Sequence, residues 1–163
     1  MLQPSEFLTL ARHLSLQSDD AALRRSVSTS YYALFHTVLT TAAERFVGAG
    51  AARQRGYAIV YRTFNHGQMR QVCEGLTPSR LSTSLQQQLG RVSAHPDIRD
   101  FAVIFTDLQF RRQQADYDPG ATITAQEART ALDLAERGTQ AFARAPEDER
   151  TDILALMLGG GRR

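Results

Sequence analysis

Lysine is missing from this chain of 163 residues, so all 19 of its basic side chains are arginines. Against 17 acidic side chains they leave a net charge of only +2 with no dense basic cluster, which argues against tight, sequence-independent duplex binding. Arginine is still the better residue for bidentate phosphate contacts, so RNA and nucleotides remain among the partners the composition allows. Cysteine occurs once, at Cys73, which excludes an internal disulfide and any multi-cysteine metal site; a small buried hydrophobe is its expected role. No apolar run approaches the ~18 residues that span a bilayer, so no membrane association is expected. The opening Met1-Leu-Gln-Pro-Ser-Glu6 shows no basic stretch followed by an apolar one, and a cytoplasmic location is the expectation. A zinc-type His-Glu-x-x-His pattern is absent, and Gly159-Gly-Gly161 lacks the lysine and the following helix of a phosphate-binding loop. Neither metal nor cofactor is expected.

What is present reads as helix throughout. The apolar fraction of 42% argues against disorder, and at this length roughly two thirds of the unfolded chain's surface can be buried in one core. Residues 1–145 are expected to form a single all-α domain of about five main helices, followed by a tail over 146–163 with a short apolar helix. The first helix runs from about Pro4 to Leu16 with Phe7, Leu10, Ala11 and Leu14 on one face. Ser18-Asp19-Asp20 caps a long second helix whose buried stripe is Val27, Tyr31, Leu34, Val38, Ala42 and Phe46. Gly48 to Ala52 forms a loop, and a third segment from about Arg53 to Leu76 kinks at Asn65-His66-Gly67. Thr77-Pro78 opens a polar helix ending near His95. After Pro96 a helix to about Ala115 carries Ile98, Phe101, Phe105 and Leu108 on one face and Val103 and Phe110 on roughly the opposite one, which suggests two packing partners, one of them another subunit. Thr124-Ala-Gln-Glu127 fits a capping box, opening a helix faced by Ala128, Ala131, Leu132, Ala135 and Phe142. In the tail, Ile153-Leu-Ala-Leu-Met-Leu158 reads as a short packing helix, with cover for a partner subunit as the other use of those side chains.

Polar chemistry collects beside two of these helices. Arg25, Thr29, Tyr32 and His36 fall in a narrow stripe at 100° per residue along the second helix, where they either line a cleft or form the edge of the core. Ser26 and Ser30 stand one turn apart, suited to close packing or to bonds back to the preceding turn. Arg112 continues the row Ile98, Phe101, Phe105, Leu108, and Asp116 four residues on is placed to meet it. That pairing is a salt bridge holding a partly buried arginine, or else Arg111 or Arg112 is aimed at a phosphate. Arg62 and His66, also one turn apart, combine a cation with a proton carrier, a set suited to ribose-phosphate cleavage as well as to a turn.

Ser30-Tyr-Tyr-Ala-Leu-Phe-His36 followed by Arg111-Arg-Gln-Gln-Ala-Asp-Tyr117-Asp-Pro119 resembles the HEPN superfamily, in which a Ser/Ala-Tyr-Tyr-Ala-x-Phe-His helix precedes an Arg-x-x-Ala-Asp-Tyr segment. The resemblance covers roughly residues 20–143. It implies an up-and-down helical bundle that pairs as a homodimer, found in toxin–antitoxin, phage-defence and RNA-processing systems, often with a nucleotidyltransferase antitoxin as partner. Ribonucleases of the superfamily act without metal through Arg-x4-6-His motifs at the dimer interface. Here Tyr117 stands where that histidine belongs, and tyrosine, with an ordinary pKa near ~10, is a poor general base. Arg62-Thr-Phe-Asn-His66 has the residue types with a spacer one residue too short. Two functions follow as expectations. One is an RNA-acting toxin or defence ribonuclease in which Arg111, Arg112 and Tyr117 hold the phosphate while His36 or His66 moves protons. The other is a non-catalytic dimer binding a nucleotide, RNA or a protein partner, with Arg112 and Asp116 as an internal strut.

Overall fold

The computed structural model describes residues 3–48 and 54–159, and among them every regular element is a helix. The elements are α1 (Pro4–Ser15), α2 (Asp20–Val47), α3 (Arg55–Thr63), α4 (His66–Leu76), α5 (Thr83–Leu89), α6 (Pro96–Tyr117), α7 (Ala125–Arg144) and α8 (Glu147–Leu158). None is long and apolar enough to cross a membrane. Most of the expected Gly48–Ala52 loop, the Arg53 start of the third segment, and Gly160, Gly161 and the two closing arginines lie outside the described residues.

Helix ends follow local chemistry. Asp19 accepts the Ala22 amide at 2.9 Å and starts α2. Thr124 and Glu127 form the expected capping box: the Glu127 amide donates to Thr124 Oγ1 at 3.1 Å while the Thr124 amide donates to the Glu127 carboxylate at 2.7 Å. The expected kink in the third segment is a full break. Phe64 and Asn65 are extended, and Asn65 Oδ1 accepts the Gln68 amide at 2.8 Å, so α4 begins afresh. Thr77-Pro78 does not open a helix: Thr77 closes α4, and its hydroxyl donates back to the Glu74 carbonyl at 2.9 Å. The polar helix shortens to α5, capped by Ser82 and stopped by Gly90 at φ +66°, a left-handed conformation that glycine adopts without strain.

By compactness the chain divides into two units, one formed by the segment up to Thr37 with Ile104–Gln140, the other by Val38–Val103 with the segment from Ala141. In the first unit Val27, Tyr31, Leu34, Phe105, Leu108, Ala131, Leu132 and Ala135 are buried, with the Tyr31 and Phe105 rings 5.6 Å apart. A Cβ on Gly138 would stand 2.9 Å from Ile104 Cγ2 and 3.0 Å from Leu34 Cδ2, so only glycine permits the approach of α7 to its neighbours there. The second unit buries Tyr57, Met69, Leu76, Ile98, Phe101, Phe142, Ile153, Leu154 and Met157, with Phe101 and Phe142 4.7 Å apart. The packing-helix reading of the tail is therefore the observed one for α8. Two residues leave their expected stripes: Leu10 is 48% exposed and Phe46 41% exposed. On α1 the inward row is Phe7, Ala11, Leu14 and Ser15, and Leu10 falls outside it.

Candidate functional site

Tyr32 of α2 and Arg112, Asp116 and Tyr117 of α6 meet in the first unit. Arg112 is enclosed: its Nη2 donates to the Tyr32 hydroxyl at 2.9 Å and to the Tyr117 hydroxyl at 3.3 Å. Its Nε lies 2.9 Å from the Asp116 carboxylate but off the line a hydrogen bond needs, so charge rather than a directed bond holds that pair. The guanidinium carbon sits 5.5 Å from the Tyr32 ring centre and 5.2 Å from that of Tyr117, within the range of cation–π attraction. Burial works against the Arg112 charge, but the bond to Tyr32 and the Tyr32, Asp116 and Tyr117 oxygens outweigh it and raise its pKa above the ordinary arginine value.

Asp116 sits in the last turn of α6, where the helix dipole disfavours a carboxylate. Arg112 and Ser28 offset that cost, Ser28 by donating its hydroxyl to Asp116 Oδ1. The following turn is fastened by Arg24, which pairs with Asp20 at 2.6 Å and donates to the carbonyls of Ala115 (3.0 Å), Asp118 (2.9 Å) and Ala121. One side chain thus satisfies carbonyls at the end of α6 that the helix leaves open and fixes where Tyr117 stands. Arg24 and Ser28 were not read from the sequence as site residues; Asp20, one turn before Arg24, was the available signal for the first.

The remaining candidates divide. Arg111 pairs with Asp107 at 3.0 Å, in the favourable acid-first order for one helical turn. Arg25 is exposed, and Thr29 is 4% exposed. Back-bonds along α2 come from Ser30 and Thr37, while Ser26 donates across to the Ala11 carbonyl at 2.8 Å. His36 stacks flat on Phe7, ring centres 4.7 Å apart and planes 6° from parallel, and its ring is 6.2 Å from that of Tyr32. Arg62 and His66 belong to the second unit, Arg62 in the last turn of α3 and His66 at the start of α4, so the break at Phe64 puts them on different helices. Burial pushes the Cys73 thiol up and keeps it protonated.

Chemically, Arg112 is a guanidinium fixed from three sides. Nη1 donates to no group among the described residues, which leaves one edge of the fork to a ligand. No histidine hydrogen-bonds to Arg112 or Tyr117 among these residues. Nor does any group of three or more His, Cys, Asp or Glu side chains among them gather as metal ligands would. No family model, curated protein or solved structure matches the chain.

Proposed function

We propose that the chain is an HEPN-like up-and-down helical domain that pairs as a homodimer and binds RNA or nucleotide phosphate without cleaving it. The observation that carries this reading is the Arg112 cluster: the guanidinium is held by Tyr32, Asp116 and Tyr117 and keeps Nη1 for an incoming oxygen. Tyr117, 70% exposed, offers its ring to a base stacked beside that phosphate. Phe110, 57% exposed, lies two turns before Tyr117 on the same face of α6 and supplies apolar surface for a second copy. A nucleotidyltransferase antitoxin is the partner that the HEPN resemblance brings to this reading, and a cytoplasmic site of action goes with it. Tyr117, standing where the motif's histidine belongs, favours binding over the alternative, a metal-independent toxin or defence ribonuclease, because tyrosine is a poor general base.

Incubating end-labelled total RNA with the purified protein in EDTA decides between the two. Retarded but intact RNA is the expected outcome. Cleavage that a folded Tyr117→Phe variant has lost would overturn the non-catalytic reading.

A further inference from the structure

The second unit holds a pocket of about 430 Å³ at α4, α5 and the end of α8, within the size range of small-molecule sites. Its apolar surface comes from Val72, Leu85 and Leu156, and its polar groups are three glutamine amides, Gln68, Gln71 and Gln88. No charged side chain among the described residues lines it. Gly75 leaves room for the lining side chain of Leu85, because a Cβ there would stand 2.9 Å from Leu85 Cδ1 and push that side chain away. Gln68 already reaches the pocket's backbone rim, donating to the Leu156 carbonyl over a long 3.4 Å.

These features select a ligand chemistry. The last turn of α8 carries the negative end of a helix dipole, which disfavours anions, and among the described residues no cation lines the pocket to offset it. A carboxamide offers a donor and an acceptor side by side, and three of them around an apolar floor match a flat ligand whose edge alternates acceptor and donor. We infer that this pocket binds a neutral planar heterocycle of the nucleobase class. The inference does not rest on the phosphate reading of the Arg112 cluster, and its probes carry no phosphate.

The test is a titration of the full chain, with labelled methyls on Val72, Leu85 and Leu156, by adenosine, cytidine and uridine, with indole as an apolar control. Saturable methyl shifts with at least one nucleoside are expected. Gln71→Leu combined with Gln88→Leu should weaken binding about tenfold, the effect of losing roughly one net hydrogen bond. Both glutamines are exposed, so the fold survives the change. Ala155→Trp, at an exposed position of the rim, should abolish the shifts with the helical circular dichroism unchanged. Silence with all three nucleosides, equal shifts with indole, or nucleoside binding indifferent to the glutamine pair would each overturn the inference.

Discussion

Each unit contains an arginine held in a network, and the two networks do opposite things with the charge. In the second unit Arg91 donates toward Glu149 at 2.9 Å and Asp152 at 3.0 Å, with Asp148 at 4.0 Å, while Glu149 also accepts the His95 amide at 3.0 Å. Three carboxylates on one guanidinium leave a negative excess, so this network fastens α8 to the segment before α6 and repels anions. In the first unit Arg112 faces one carboxylate and two phenols. Tyrosine oxygens orient a guanidinium without neutralising it, so that cluster keeps a positive edge. In the proposed reading, the identity of the neighbours makes Arg91 a fastener and leaves Arg112 available for binding.

The comparison can be broken most severely at Glu149, whose side chain is only 7% exposed. Arg91→Ala strands it without a cation and should lower stability by about 3 kcal/mol in urea unfolding while leaving RNA affinity unchanged. A loss of affinity in that variant, once folded, would erase the distinction between the networks. Asp116→Asn leaves the partly buried Arg112 without its counter-ion and should cost about 2 kcal/mol, yet tighten RNA binding in fluorescence anisotropy because the local negative charge is gone. Weaker binding would mean that Asp116 belongs to the binding surface. Tyr32→Phe removes one anchor and should cost about 1 kcal/mol, with a broader Arg112 side-chain NMR signal.

The smallest expected effect concerns pH. Glu127 has its pKa lowered by the Thr124 amide first, then by the Thr124 hydroxyl and Arg111. A carboxylate depressed in the folded state adds stability above its ordinary value near ~4.3, and loses it as pH falls through the folded pKa. Glu127→Gln should therefore flatten the acid limb of stability against pH by well under ~1 kcal/mol, given its exposure. An unchanged acid limb would show that the box contributes nothing through charge.

Much of the helical architecture was legible because periodicity and capping act locally. Pro4, Asp19, Pro96 and the Thr124–Glu127 box all stand at the expected starts, and Ile98, Phe101, Phe105 and Leu108 are all fully buried. The Arg112–Asp116 pair was legible for the same reason, one turn of one helix. The break at Phe64-Asn65 looked like a kink because the apolar spacing carries on across it; the Asn65 cap decides otherwise. Pro78 misled because proline suits a bend as well as a first helical turn, and Ser82 supplies the working cap. Least legible were contacts between residues far apart in the chain. Nothing local to Tyr32 points to Arg112, 80 residues away, nor local to Phe7 to the ring of His36.

The central claim is that Arg112 is a preset phosphate contact, and its most direct test is equilibrium binding of a labelled single-stranded RNA to wild type and to Arg112→Lys. Lysine keeps the charge opposite Asp116 and loses the fork. A folded Arg112→Lys protein that binds at least about tenfold more weakly, the effect of losing one charge-assisted hydrogen bond, is the predicted result. Equal affinity for the two proteins would make Arg112 a strut alone and contradict the account.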